Sequence, residues 1–335
     1  MRRRMLPCVA VTLLVLGGGL SALEPGRPSR TSVWVLAARA IGARDPDPTV
    51  RNPDWLAEQF LGPDERVLIA ETPVAAGLDK DYREAMQEPE TRARVLMVNI
   101  RTRAIDERML DAVTRGAAQV VILGAGFDSR AYRFRQRLAG VRVFEVDFGP
   151  TQEYKKRRVA AVLGPPPPNL TYVAIDFTRE QVSQVLRRAG YRAERQTFFI
   201  WEGVSMYLTE ADVRALLRDV AEHASPRSEV VFDHFNPFFD RPNEANARLV
   251  AMLKAWGEPW IFTIPDGQEA AFLESVGLTL TAHVSMLVTS DDARKYIVRQ
   301  DGSAVGDVRF PAAGTPQRTV HWLAVARPSP APRRP

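Results

Sequence analysis

The sequence predicts an α/β fold: a doubly wound, mostly parallel sheet of seven strands with a helical lid in front of it. Three observations carry this. Short apolar runs alternate with helical segments from Gln119 to Ala326, and such alternation builds a parallel sheet covered on both faces. The first run leads straight into a glycine turn, Leu123-Gly124-Ala125-Gly126. Acidic residues then stand at the ends of the following runs, where open sheets of this kind hold their ligands.

Gln119–Leu123, Val141–Val146, Thr171–Ile175, Thr197–Trp201 and Glu229–Phe232 read as buried strands, because their apolar residues run on without alternation. Helices sit between them. Thr178 with Gln181 forms a capping box, Val182, Val185 and Leu186 follow at helical spacing, and Gly190 stops the helix. Thr209 with Asp212 opens another, carrying Val213, Leu216, Leu217 and Val220. A third runs from about Gln268 to Val276 and ends at Gly277. Leu278–Val284 and Val320–Ala326 complete the sheet. The last run follows a long loop without a crossover helix and is expected as an antiparallel insertion at the edge.

Residues 29–95 form the helical lid, with Val33, Leu36, Ala37 and Ile41 at helical spacing. A long helix begins near Arg92. Residues 96–326 form the sheet domain, with an insertion at about 236–265. Ahead of both, Arg2, Arg3 and Arg4 precede Met5–Leu23, which carries no charge. That run is close to the roughly 20 residues of a membrane span and also suits a signal peptide or a start-site extension. Residues 1–28 thus read as an apolar segment with a linker, and 327–335 as a disordered Pro- and Arg-rich tail.

Of 335 residues, 45% are apolar and 25% charged, which excludes disordered, collagenous and coiled-coil classes. The 45 basic and 40 acidic residues give a net charge of +5. The arginines are spread along the chain, so no nucleic-acid partner is expected. One cysteine, Cys8, and four histidines exclude a disulfide framework and a Cys/His zinc cluster. The acidic residues are dispersed over strand ends, so no metal is expected either.

The glycine turn lets the backbone approach a ligand closely. Ser129 stands where a dinucleotide fingerprint wants its third glycine. The loop therefore suits an adenosine cofactor without a pyrophosphate, such as S-adenosylmethionine, better than a nicotinamide dinucleotide. Asp147 ends the second strand, 23 residues past Gly124, where a carboxylate accepts ribose hydroxyls; as a helix cap it would serve structure instead. Asp176 and Phe177 pair an acceptor with a ring, suited to adenine, although Asp176 also suits a helix cap. Glu202 follows the fourth strand at the mouth of the crevice and suits an ammonium group, or is a solvated loop residue.

Taken together, IRTRAIDERML (100–110), VVILGAGFDSRAYRF (120–134), VFEVDFGPTQEYKKRRV (143–159), YVAIDF (172–177) and WEGVSMYLTEADV (201–213) resemble the leucine carboxyl methyltransferase family, including its many bacterial relatives. The resemblance runs from about Ser29 to Ala326. It implies a class I, Rossmann-like methyltransferase using S-adenosylmethionine. By position, Arg103 matches the arginine that binds the cofactor's carboxylate, with Arg101 a near alternative. Gly124 and Gly126 match the loop, Asp147 the ribose acid, Asp176 and Phe177 the adenine pair, and Glu202 the acid after strand four. Tyr207 aligns with a tyrosine near the substrate pocket. The family's N-terminal basic contact has no clean counterpart beyond Arg39.

The resemblance implies methyl transfer to a carboxylate or hydroxyl of a small molecule or a peptide terminus. A carboxylate is already ionised at neutral pH and needs no base; a hydroxyl needs one. His234 is the candidate base, though a loop histidine bonded to backbone fits as well. Phe238, Phe239, Trp256, Trp260 and Phe262 of the insertion offer apolar surface for an acceptor, or pack the insertion on the sheet. The cofactor's chemistry favours a cytoplasmic enzyme, with membrane association through residues 5–23. Competing readings are a nicotinamide-dependent oxidoreductase and a non-catalytic, membrane-tethered binding protein.

Overall fold

The computed structural model describes residues 28–177, 179–237, 244–312 and 315–330. Met5–Leu23, Thr178, Phe238, Phe239 and residues 331–335 lie outside them. Twelve helices are described. The front of the chain forms α1 (Arg30–Gly42), α2 (Pro63–Leu68), α3 (Pro73–Leu78), α4 (Tyr82–Ala85) and the long α5 (Pro89–Thr114). Strands and helices then alternate: β1 (Gln119–Leu123), α6 (Arg130–Arg133), β2 (Arg142–Asp147), α7 (Gly149–Leu163), β3 (Leu170–Ala174), α8 (Val182–Arg188), β4 (Thr197–Trp201), α9 (Glu210–His223) and β5 (Glu229–Phe235). The chain closes with α10 (Glu244–Ala255), α11 (Glu269–Glu274), β6 (Leu278–Ser285), α12 (Asp291–Ile297) and β7 (His321–Pro328). No helix of the described residues is long and apolar enough to cross a membrane.

The seven strands lie in the order β3-β2-β1-β4-β5-β7-β6. The first five are parallel. β7 is antiparallel to both β5 and β6. It is therefore inserted inside the sheet rather than at its edge, and it runs through Arg327 and Pro328, which the sequence assigns to the tail. Strand order reverses between β1 and β4, which opens a crevice at their carboxyl ends.

Alternation sorts the two faces. Val120, Ile122, Phe198, Ile200 and Val231 pack with α1 and α5. Val121, Leu123, Phe199, Trp201 and Phe232 pack with α8, α9 and α11. Each fully buried large side chain contributes roughly 1.5–3 kcal/mol. Helix α1 begins where Ser29 accepts from the Ser32 amide. Ten of its thirteen residues are buried, so it runs through the protein interior against α5 rather than along the surface. Helix α5 begins at Pro89, before the predicted Arg92, because proline at the first position needs no amide partner and Glu88 caps the next two amides. Helix α8 begins at Val182 after Gln181, whose side chain makes no cap.

Candidate functional site

Beyond β1 the backbone must turn sharply at the crevice. Gly124 and Gly126 do so with φ of +64° and +41°. A Cβ on Gly124 would lie 2.5 Å from Val204 Cγ2, so the loops after β1 and β4 touch and only hydrogen fits. The Gly124 amide donates to the Val146 carbonyl at 2.8 Å. Asp147, ending β2, accepts from the Gly126 amide at 2.6 Å and the Phe148 amide at 2.7 Å. Burial pushes its carboxyl up, against those hydrogen bonds.

These loops line a cavity of about 780 Å³. Gly124, Gly126, Asp147, Asp176, Phe177, Glu202 and Tyr207 all face it, so the structure brings together seven of the nine residues singled out in the sequence. Asp176 lies 3.4 Å from Arg179.

Glu202 is the hub of the loop end. Its carboxylate meets Arg39 Nη2 at 2.7 Å, Arg101 Nε at 2.9 Å and Arg130 Nη2 at 2.9 Å. Burial alone would raise its pKa, but the three guanidinium groups hold it well below the carboxylate range. The arginines are shared onward. Arg39 reaches Asp54 at 3.4 Å and Arg130 reaches Asp106 at 2.6 Å, while Arg130 also pairs with Asp128. Arg101 Nη1 meets Asp233 at 2.7 Å. Asp233 also accepts from the Gly203 amide at 2.6 Å and stands 3.0 Å from His321 Nε2. Burial opposes its charge, yet Arg101 and His321 bring its pKa down to about 2.

Two sequence expectations are corrected. Arg103 does not face this cavity; Arg101 does. Residues two positions apart on an α-helix are turned by about 200°, and Arg103 donates instead to the Arg51 carbonyl at 2.8 Å beside Glu107 and Tyr296. His234 is not a base in the cavity. Strand alternation turns Asp233 and Phe235 toward the site and His234 away from it. His234 is fully buried, 3.1 Å from His283, and burial with that neighbour takes its pKa to about 3.

The far end of the cavity is aromatic. Trp34 and Val35 come from α1, Met97 from α5, Phe235 from β5, and Trp260 and Ile261 from the segment after α10. Of the insertion aromatics, Trp260 lines the cavity, Trp256 packs edge-on against Trp34 at 5.8 Å, and Phe262 is buried against Phe272. Tyr207 has Thr31 and Trp260 about its hydroxyl, and burial pushes its pKa up to about 12. Glu258 is held by Ser29 Oγ and the Arg30 amide, each at 2.7 Å.

Arg94 was not foreseen. Its guanidinium lies 3.6 Å from the Trp34 ring centroid, and among the described residues no carboxylate pairs with it. Burial and the charge of Arg101 bring its pKa down to about 10. Arg39, Arg101 and Arg179, the other arginines of the cavity, are ion-paired. Nothing in the local sequence marks Arg94. Arg130 and Asp128, by contrast, lie within the glycine-loop motif, and Asp233 is the neighbour of the histidine singled out.

The leucine carboxyl methyltransferase family profile matches residues 32–221. The chain is 33% identical over 207 residues to a Mycobacterium ulcerans (strain Agy99) protein provisionally named an S-adenosyl-L-methionine-dependent methyltransferase. That match covers 61% of this chain and 65% of the relative, just under two thirds of its length. It is 28% identical over 276 residues to YktD of Bacillus subtilis (strain 168), which bears the same provisional name, with 78% and 90% covered. Among solved structures, it is similar to the magnesium protoporphyrin IX methyltransferase of Synechocystis PCC 6803 with bound SAH. The TM-score there is 0.43 and the identity 12%, covering 72% of this chain and 88% of that one.

Proposed function

The chain belongs to the leucine carboxyl methyltransferase family, and on that premise we propose that it is an S-adenosylmethionine-dependent O-methyltransferase whose acceptor presents a carboxylate. The loop end fits the cofactor. The backbone of Gly124 and Gly126 forms part of the cavity wall, and Asp147 ends β2 beside it. In this reading Asp147 accepts the ribose hydroxyls, and Asp176 with Phe177 holds the adenine. Arg101 and Arg39 hold the amino-acid carboxylate, and Glu202 its ammonium.

S-adenosylmethionine supplies an electrophilic methyl group on a sulfonium; the protein's part is positioning and exclusion of water. The observation that carries the acceptor class is Arg94, a cation on the cavity wall with no carboxylate in ion-pair contact among the described residues and only Glu90 at longer range. A bound carboxylate would complete that charge pair. With its pKa near 12, Tyr207 stays protonated at neutral pH, so its hydroxyl donates to an anionic oxygen rather than serving as a base. Removal of His234 from the cavity points the same way, because a carboxylate needs no base. Trp34, Met97 and Trp260 suit an apolar body on that acid.

Calorimetry with S-adenosylhomocysteine tests the cofactor reading; folded protein that fails to bind it would refute that reading. For the acceptor, the protein is incubated with methyl-labelled cofactor and apolar carboxylic acids, free or as peptide termini. Base-labile label is expected, as for an ester. Base-stable label on a hydroxyl acceptor would overturn the carboxylate assignment and leave the cofactor assignment standing.

A further inference from the structure

The face of β5 turned away from the cavity holds a second group of chemistry-bearing residues. His234 projects from β5 and Asn236 follows it, His283 comes from β6, and Glu269 opens α11. His234 Nε2 and His283 Nε2 are 3.1 Å apart, with rings 5° from parallel. Trp322 of β7 stacks on His283 at 4.0 Å. One Glu269 oxygen accepts from Asn236 Nδ2 at 2.9 Å, and Asn236 Oδ1 accepts from Trp322 Nε1 at 2.6 Å. One atom each of His234, Glu269 and His283 lies within 4.8 Å of the other two.

The charges of this cluster do not balance. Glu269 is 5% exposed, and among the described residues no Lys or Arg pairs with it. Its nearest partners are an amide and two imidazoles that burial keeps neutral. Asp266 and Asp292 add further negative charge around His283. A buried carboxylate without a cation is costly, and the two neutral imidazoles, whose Nε2 atoms stand at hydrogen-bond distance from each other, are themselves metal donors.

We propose that His234, Glu269 and His283 form a binding site for one divalent transition-metal ion of the zinc type. Two imidazole nitrogens and one carboxylate oxygen are an established donor set for such an ion, with water in the fourth position. Nitrogens on a tetrahedral ion stand about 3.3 Å apart, given metal–nitrogen bonds of about 2.0–2.1 Å. The observed 3.1 Å is within reach of that, and rotation of the Glu269 side chain closes the remaining distance. Asn236 and Trp322 form the outer support, orienting the carboxylate and one imidazole. The ion would join β5, β6 and α11 behind Asp233. Its role is positional, and it stands independently of the methyltransferase reading.

The test uses the untagged full chain, freed of metal by chelation and dialysis. Co²⁺ titration should give the intense visible absorption of a four-coordinate site, saturating at one ion per chain, and Zn²⁺ should displace it. Zn²⁺ should also raise the melting temperature. His283→Gln and Glu269→Gln should each weaken Zn²⁺ binding at least tenfold while far-UV circular dichroism and a cooperative melting transition, read in parallel, report that the fold is intact. Only weak six-coordinate Co²⁺ absorption from the unmodified chain would overturn the site, whatever the variants do. So would folded variants that bind Zn²⁺ as tightly as the parent, because the ion would then sit elsewhere.

Discussion

At the loop end of the cavity every arginine has its carboxylate: Arg39, Arg101 and Arg130 share Glu202 and each also meets a second carboxylate, Asp54, Asp233 and Asp106 respectively. At the aromatic end Arg94 lies over Trp34 and pairs with no described carboxylate. The difference separates two ways of using buried charge. A closed network is fixed before any ligand arrives and forms a rigid wall, the cofactor's seat in the reading proposed above. An open cation is held by an aromatic face, worth about 0.5–2 kcal/mol, and keeps its full ion-pairing capacity for a ligand. Substitutions at the two ends should therefore differ in size and in what they change: stability at the first, acceptor binding at the second.

The largest effect is expected at the hub. Glu202→Gln leaves three buried guanidinium groups short of a counter-charge, and breaking a buried pair costs about 3–5 kcal/mol. Urea unfolding should show that loss, and a variant as stable as the parent would mean the network contributes no rigidity. Acid should act on the same network. Asp233 has its pKa lowered from 3.8 to about 2, so its contribution is complete above the unfolded pKa and is lost as pH falls through the folded one. The loss, on the order of 2 kcal/mol, should appear between about pH 4 and 2 and be absent in Asp233→Asn. His234 acts earlier and in the same direction. Its pKa falls from 6.5 to about 3 in the folded state, so its stabilising effect is present above 6.5 and declines as pH drops toward 3.

Gly124→Ala should cost about 2 kcal/mol, since the left-handed backbone penalty of about 1–2 kcal/mol is joined by the contact with Val204. Adding Val204→Ala should recover the contact part alone, read from melting temperatures. At the aromatic end, Arg94→Gln should leave stability within about 1 kcal/mol of the parent yet raise the acceptor KM about tenfold, the value of one charged hydrogen bond. Affinity for S-adenosylhomocysteine should stay within twofold. A variant that loses cofactor affinity instead would erase the distinction between the two ends.

The sheet was legible because its strands are continuous apolar runs, and β1 and β4 fall on the predicted residues. Asp147 and Glu202 were legible because strand ends in a doubly wound sheet have fixed places. The two errors at the site were errors of phase. Arg103 is one step of two from Arg101 on a helix, and His234 one step from Asp233 and Phe235 on a strand; each step turns the side chain to another surface. The alternation of Val230, Val231 and Phe232 between the two cores shows the phase that His234 follows. Arg94 had no such cue, because its place in the cavity depends on how α5 crosses α1, which no local pattern encodes.

Helix α1 carries Trp34 to the aromatic end and Arg39 to Glu202, five residues apart on one rigid rod. Transplanting α1 from a relative to change the aromatic end would therefore also rewire the arginine network. Diversification, natural or engineered, is easier through Trp260 and Ile261, which line the cavity from a segment that contributes no residue to the arginine network described above.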